Sequence, residues 1–379
     1  MRIDSFTFYF FIAAGIFISF MIFWYFPLSF LDSIYTKYQD PKYMDQNFYA
    51  YHAKRLCQTD NLTIEDFNIT WSSLGVTSYL TYACKAFSLP MGYIFFNVSF
   101  FIASLSIFLK SLSVTLRRDS LNFSLFTAFL IPVSLYYVSL PGKEIFSYCG
   151  IFIFSSGIIY LKNKKSFKAI SYILISILLV SFSRPHEGFA LSLLALIFLS
   201  NIKITFLRFL FFGSIFAFAF EALVLLSVNN FFNTGFESVT DMLAFKSEID
   251  KYLSNENIII HFLLGPIRMV VICFGTLITS IAPLFDILKV DMGFYFYKSI
   301  PLFLRFIEML AALSALFILM RNTHPNTKII LTIFLYYIFF VTFFGIEQRT
   351  RYLFAVFPIL IIYFDQISYL SRMNQIKNR

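Results

Sequence analysis

The chain has 379 residues, of which 59% are hydrophobic, 21% aromatic and only 13% charged. Soluble domains carry about 25% charged residues, so this composition excludes an ordinary soluble domain and favours a polytopic, all-α membrane protein. The formal net charge of +9 does not indicate nucleic-acid binding, because Lys and Arg cluster in short loops between apolar runs. We therefore expect the lipid bilayer, and no nucleic acid, as a partner.

Apolar runs of about 20 residues, the length that crosses a bilayer as a helix, predict about ten (10–12) transmembrane helices in one integral membrane domain over residues 1–379. The stretch 72–89 is only weakly apolar and predicts an interfacial or re-entrant helix. No internal repeat or Gly/Ser-rich linker divides the sequence. The predicted spans are residues 6–31, 91–109, 121–140, 145–161, 169–182, 189–200, 206–228, 301–320, 329–344 and 352–367.

The distribution of Lys and Arg predicts the orientation of the chain. Cytoplasmic loops carry the excess of basic residues, so we expect the basic loops and both termini in the cytoplasm. Two longer loops, about 32–72 and 229–300, are then external. The broken apolar stretch 259–288 within the second loop is expected to form an external hairpin or to cross the membrane twice. The basic segments are residues 110–118, 162–168, 201–203, 321–328 and the C-terminal tail.

The break at residues 183–188 places Arg184, Pro185, His186 and Glu187 between two apolar runs. Ionisable side chains at membrane depth are costly, so they are rare and usually functional. Arg184 offers a planar fork for a phosphate group, and His186 is suited to proton transfer near neutral pH. Glu187 either orients the histidine or acts as the base itself. The alternative is an interfacial turn whose charges reach water.

The sequence Pro-Gly-Lys-Glu at residues 141–144 joins two predicted spans with almost no loop. Lys143 beside Glu144 is then a cation held rigidly by two packed helices, and a lysine can bind a phosphate oxygen as a point charge. The alternative is a tight Pro-Gly turn with a snorkelling Lys–Glu pair. Both interpretations place the pair at the same external boundary as Arg184.

The first external loop contains one acid, Asp45, among several aromatic residues. A carboxylate base would lie there beside aromatic rings that can cover the faces of a sugar. The alternative is an amphipathic surface helix, because Phe48 and Tyr51 fall on one helical face.

Further charged residues lie late in the chain. Arg268 follows a Gly-Pro pair in the apolar stretch 259–288, and Arg305 and Glu308 are spaced i, i+3, which predicts an intrahelical pair. The segment 347–352 leads into the last span, and its cations either bind an anion or anchor the helix at the interface. The charged residues of that segment are Glu347, Arg349 and Arg351.

The four cysteines show no metal or redox spacing, so we expect small core residues. The alternative is a disulfide between Cys57 and Cys84 in an oxidising compartment. The sequence has no P-loop, no G-x-G-x-x-G and no pair of histidines with zincin spacing. We therefore expect no metal and no cofactor. The other two cysteines are Cys149 and Cys273.

Several cations at the external end of a helical bundle suit an anionic group that is anchored in lipid. Sugar transfer from a polyprenyl diphosphate needs stabilisation of the leaving diphosphate, which Arg and Lys can supply in a site of low dielectric constant. It also needs a general base for the acceptor hydroxyl, which Asp, Glu or His can supply. The energy is stored in the donor, so no soluble cofactor is required.

An Asp among aromatics, "PGKE", "RPHEG" and a late "EQRTRY" together resemble the bacterial polysaccharide repeat-unit polymerases of the Wzy and EpsG type, which are distant relatives of the GT-C membrane glycosyltransferases. The resemblance implies an inner-membrane enzyme that joins undecaprenyl-diphosphate-linked oligosaccharides into O-antigen of lipopolysaccharide, capsule or exopolysaccharide, with a chain-length regulator as a further partner. It implies diphosphate binding by Arg184, Arg349 and Arg351, which Lys143 and Arg268 would assist. His186, Glu187 or Asp45 would be the base, and Glu144 and Glu347 would support the site.

Two alternatives to a polymerase follow from the same residues. A GT-C glycosyltransferase that uses a polyprenyl-phosphate sugar would need the same groups. A transporter or flippase for a lipid-linked sugar would carry charges at the bilayer midplane and paired repeats. Because the charges are predicted at one boundary and no repeat is visible, we expect an enzyme.

Overall fold

A computed structural model describes residues 5–21, 45–67, 74–87, 89, 91–116, 131–163, 166–200, 292–322, 324–343 and 355–377. Of these residues 89% are helical and none lies in a strand, which confirms the predicted all-α class. The predicted span 206–228 and the stretch 259–288 lie outside the described residues.

The described residues form twelve helices, which differ in length because apolar runs and polar breaks alternate along the chain. In chain order they are α1 (Ser5–Phe20), α2 (Asp45–Cys57), α3 (Ile64–Phe67), α4 (Leu74–Phe87), α5 (Met91–Leu116), α6 (Pro132–Val138), α7 (Glu144–Lys162), α8 (Ser166–Ser183), α9 (Pro185–Leu199), α10 (Met292–Leu319), α11 (Pro325–Phe343) and α12 (Phe357–Lys377).

Most of these helices match predicted spans, but four regions differ. Helix α5 continues to Leu116, into the basic segment 110–118 that was predicted as a loop. The predicted loop 32–72 contains α2 and α3, and α2 agrees with the alternative of a helix around Phe48 and Tyr51. Helix α10 begins at Met292 and includes Pro301, since neighbouring helices can satisfy the backbone group that a proline frees. Helix α12 continues to Lys377, because polar residues in its last turns do not end a helix.

Two described helices are long and apolar enough to cross a membrane, residues Met91–Ser113 of α5 and Glu144–Lys162 of α7. Shorter apolar helices accompany them within α1, α8, α9 and α12. This composition associates the chain with a membrane.

Helix α7 lies at the centre of the bundle, and 94% of its 18-residue apolar stretch is buried. It packs against α5, α6, α8, α9 and α11. Gly150 and Gly157 face α8, and a Cβ atom on Gly157 would lie 2.8 Å from Cγ1 of Ile173 and 3.1 Å from the carbonyl oxygen of Ala169. Small residues at such positions let two helices approach closely, which is how helices associate in a membrane.

Helix α4 lies across one end of this bundle. Gly75 at its start lies against the carbonyl of Phe182 near the end of α8, and Gly92 in the first turn of α5 lies against the carbonyl of Ala83. Between these contacts, the ring of Tyr79 packs 5.4 Å from that of Phe146 in the first turn of α7. The start of α5, the start of α7 and the end of α8 therefore lie at the same end, as expected of a helix that rests on the spans.

A disulfide joins α2 to α4. Cys57 and Cys84 are bonded, with their Cα atoms 5.9 Å apart. The expectation that both are reduced core residues was wrong, because residues separated by 27 positions meet only when α2 folds back onto α4. Cys149 is free and buried, as expected.

Candidate functional site

The turn at Arg184 ends one helix and begins the next. Proline disfavours a helical conformation of the preceding residue, and Arg184 has φ −145° and ψ 81°. Its N–H still donates to the carbonyl of Val180 at 2.7 Å, and its carbonyl accepts from the N–H of Gly188 at 3.0 Å. The backbone of Arg184 thus forms the last hydrogen bond of α8 and the first hydrogen bond of α9.

Gly188 makes this helical hairpin tight. A Cβ atom at this position would lie 2.8 Å from both the backbone nitrogen and the Cα of Ser181 in α8. Only a glycine lets the first turn of α9 approach α8 so closely. The consequence is that Glu187 folds back beside Arg184.

Four buried side chains meet at this turn, and we call them the Arg184 network: Glu144, Arg184, Glu187 and Tyr337. Nη1 of Arg184 lies 2.6 Å from Oε1 of Glu187, and Nη2 lies 3.0 Å from Oε1 of Glu144. The hydroxyl of Tyr337 in α11 donates to Oε2 of Glu187 at 2.8 Å. All four residues are at most 3% exposed. These charged groups and the hydroxyl of Tyr337 thereby join α7, α8, α9 and α11.

The helix ends favour the positions of the two acids. Glu144 is the first residue of α7 and Glu187 lies in the first turn of α9, and acids are stabilised at helix N-termini. Arg184 follows the last residue of α8 but is also the N-cap of α9, so the helix ends do not account for the cation. Two carboxylates face one guanidinium, so the ionised network carries one excess negative charge. A third anion at Arg184 would meet both carboxylates, which makes Arg184 better suited to holding the acids than to binding phosphate.

The two charged residues of the Pro-Gly-Lys-Glu turn, Lys143 and Glu144, differ in burial. Glu144 turns into the bundle, whereas Lys143 remains partly exposed at the surface. The Nζ atom of Lys143 lies 5.0 Å from the ring centroid of Tyr49 in α2, which is a cation–π distance. Lys143 is therefore the described cation of this turn that a ligand can reach, and an aromatic ring lies beside it.

Outside the Arg184 network, another buried acid, Glu308, lies inside α10. Its Oε1 accepts from the hydroxyl of Ser134 at 2.7 Å, and its Oε2 accepts from the N–H groups of Val133 at 2.9 Å and Ser134 at 3.2 Å. These N–H groups belong to the first turn of α6, where a helix leaves its donors unsatisfied. Glu308 thus caps α6 from a different helix.

The other end of α6 is capped as well. Nδ2 of Asn97 in α5 donates to the carbonyls of Val138 at 2.6 Å and Leu140 at 3.2 Å. Arg305 donates to the hydroxyl of Tyr137 and lies over its ring. Both members of the predicted Arg305–Glu308 pair therefore reach α6, which an intrahelical pair alone does not describe.

The described structure brings three predicted site residues together. Glu144, Arg184 and Glu187 form one network, and Lys143 is adjacent. Asp45 begins α2 and His186 lies in the first turn of α9. Four predicted site residues lie outside the described residues: Arg268, Glu347, Arg349 and Arg351.

Sequence reasoning missed Tyr337 altogether. It lies in an apolar run of α11, 150 positions after Glu187, and a tyrosine inside such a run has no distinguishing neighbour in the sequence. The i, i+3 spacing predicts a partner for Glu308 on its own helix, whereas its hydrogen-bond donors belong to α6. An acid within an apolar span is the sequence signal for a partner on another helix.

Comparison with known proteins gives no match: no family model matches the chain, and neither a curated protein nor a solved structure is similar to it. Among the residues that the structure describes, no group of three or more His, Cys, Asp or Glu side chains is placed to hold a metal ion. The Arg184 network and its surroundings are therefore the basis of the function that we propose.

Proposed function

We propose that this chain is a membrane glycosyltransferase of the bacterial inner membrane. It joins undecaprenyl-diphosphate-linked sugar repeat units at the external face, in the synthesis of O-antigen, capsule or exopolysaccharide. The observation that carries the proposal is the Arg184 network, in which two acids and an arginine are buried where three apolar helices begin or end. Ionisable groups in such surroundings are expensive and mark functional sites by default.

The proposed topology has about ten spans, cytoplasmic termini and an external network. The positive-inside distribution supports this orientation. The Cys57–Cys84 disulfide supports it independently, because disulfides persist in oxidising compartments. Since α4 carries Cys84 and rests on the bundle end where α7 begins, the disulfide and the network lie on the same side.

The proposed chemistry divides the predicted residues by role. The acceptor hydroxyl attacks the anomeric carbon, its proton passes to a carboxylate, and the bond to the diphosphate breaks with the electron pair on the leaving oxygen. Glu187 is the favoured base, with His186 and Asp45 as the other predicted bases. Arg184 holds Glu144 and Glu187 in place. Lys143, which is partly exposed, stabilises the leaving diphosphate together with the predicted Arg268, Arg349 and Arg351.

The test is direct. Purified full-length protein in detergent is given lipid-linked repeat units, and product length is followed on gels. We expect longer glycans from the wild type, none from Glu187→Gln, and normal lengths from Asp66→Asn, an exposed acid on α3. An unchanged substrate with folded wild-type protein would contradict the proposal. Extension by a single sugar from a polyprenyl-phosphate donor would instead indicate a GT-C transferase.

One observation favours a second candidate, a transporter for a lipid-linked sugar. Glu308 lies deep within the long helix α10 and caps the short helix α6, and interrupted helices with buried polar groups are typical of transporters. Proteoliposomes distinguish the two functions. Movement of the lipid-linked sugar across the bilayer without covalent change would favour the transporter.

A further inference from the structure

Both oxygens of Glu187 are engaged, and by different parts of the fold. Oε1 accepts from Nη1 of Arg184 at 2.6 Å, and Oε2 accepts from the hydroxyl of Tyr337 at 2.8 Å. Arg184 belongs to the same turn as Glu187 and also contacts Glu144 at the start of α7. Tyr337 belongs to α11, which packs against both α7 and α9. The phenol therefore ties the carboxylate to the rest of the bundle.

These two donors fix how the carboxylate is turned. An ionised carboxylate offers about four lone-pair directions, and a donor on each oxygen sets the rotation of the group about its terminal bond. Without the phenol, Oε2 loses this donor, and the plane of the carboxylate is less tightly defined. A base must meet its proton within hydrogen-bond reach and direction, so a rotated carboxylate transfers protons more slowly.

We propose that Tyr337 is a positioning residue that orients the carboxylate of Glu187 for proton transfer. This inference rests on the proposed function, in which Glu187 is the base. In this role Tyr337 acts through Glu187.

A simpler explanation is that a buried phenol needs some acceptor and that Glu187 supplies it. The two explanations differ in what the loss of the hydroxyl changes. A structural hydrogen bond affects folding, whereas a positioning hydrogen bond affects turnover after substrate has bound. Tyr336 provides the matched control, because it is equally buried in the same helix and lies about 100° around the helix from Tyr337.

The experiment compares Tyr337→Phe with Tyr336→Phe in the polymerisation assay, using purified full-length protein and lipid-linked repeat units. We expect Tyr337→Phe to lower kcat about tenfold or more while KM stays within about twofold, since a hydrogen bond to a charged group is lost at the base and not at the binding surface. Tyr336→Phe should keep kcat within about twofold. Equal kcat values for the two variants would overturn the inference.

Two further measurements keep the outcome interpretable. The melting temperature of each variant in detergent shows whether it folds. In the Glu187→Gln background, where no turnover is expected, removal of the Tyr337 hydroxyl should leave the binding of the lipid-linked repeat unit unchanged, because the phenol acts on the carboxylate and not on the bound substrate. An active wild type with an unaffected Tyr337→Phe variant overturns only the positioning role. A folded wild type without activity overturns the proposed function and this inference with it.

Discussion

Glu187 and Glu308 are both fully buried glutamates in apolar helices, yet the fold satisfies them in opposite ways. Glu187 is held by a guanidinium and a phenol, within a network that contains a second acid. Glu308 is held by two backbone N–H groups and a serine hydroxyl at the start of α6. The first carboxylate pairs with side chains, whereas the second completes a helix.

This difference separates a candidate reactive group from a structural one. The partners of Glu308 are backbone atoms, which cannot leave without unwinding α6, so its carboxylate is committed to the cap. The partners of Glu187 are side chains, so they can be replaced without unwinding a helix. Burial alone therefore does not identify the functional acid, and the kind of group that partners it is the better criterion.

The largest effect is expected from removing the cation of the network. Arg184→Met leaves Glu144 and Glu187 facing each other without a counter-charge, and loss of one partner from a buried ion pair costs about 3–5 kcal/mol. Thermal unfolding in detergent should show this destabilisation, and polymer length should fall to single repeat units. Arg184→Lys keeps the charge but loses the fork, and should recover only part of both. Wild-type stability of Arg184→Met would refute the network as a determinant of folding.

The second test compares substitutions of Glu308 with the substitution of Glu187. Glu308→Ala leaves the N–H groups of Val133 and Ser134 without their acceptor, at a cost of roughly 1–3 kcal/mol for a buried unsatisfied group. Glu308→Gln keeps an acceptor oxygen and should cost less. Turnover per folded molecule should stay near the wild-type value for Glu308→Gln, whereas Glu187→Gln should abolish it. If both glutamine variants lose turnover, the distinction between cap and reactive acid fails.

The opposite end of α6 allows a smaller test. Asn97→Ala removes the donor to the carbonyls of Val138 and Leu140, and we expect a loss of about 1 kcal/mol in the free energy of unfolding, since carbonyls tolerate an unmade bond better than N–H groups do. Asn97→Asp should be worse, because a carboxylate would face two carbonyl oxygens. A stability of Asn97→Asp equal to that of Asn97→Ala would show that Asn97 does not act as this cap.

Much of the fold could be predicted, because apolar runs and their polar interruptions define helices locally. Helices α7, α8 and α9 match their predicted spans closely for this reason, whereas α5 continues past its predicted end at residue 109 to Leu116. Glu144 and Glu187 could be placed at one end because short turns make neighbouring helices antiparallel. The predicted spans past residue 200 that fall outside the described residues stay predictions.

The contacts between distant segments could not be predicted. Tyr337 and Glu187 meet because α11 packs beside α9, and no local pattern contains that information. The same holds for the cap that Glu308 forms on α6. The Cys57–Cys84 bond was predicted only as an alternative, because two cysteines can be named as a pair but nothing local shows that they meet. In each case the sequence shows one polar group that needs a partner and does not show which partner it finds.

The smallest effect is expected at Asp66, an exposed acid that accepts hydrogen bonds at the start of a helix, as Glu308 does inside the bundle. Asp66 in α3 accepts from the N–H of Thr63 at 2.7 Å and from its hydroxyl at 2.9 Å. The backbone hydrogen bond, followed by that of the hydroxyl, lowers the pKa of Asp66 below its usual value. A lowered pKa in the folded state means that the contribution to stability is present above the ordinary Asp range and is lost as the pH falls through the folded-state value.

Because Asp66 is fully exposed, water replaces the lost acceptor in Asp66→Ala. We expect hydrogen-exchange protection of the Thr63 amide to fall slightly near neutral pH and to match the wild type in acid, with no change in global unfolding. Asp60→Ala, an exposed acid in the preceding loop, should change neither. A loss for Asp66→Ala as large as that for Glu308→Ala would show that burial does not set the cost of removing a capping acid.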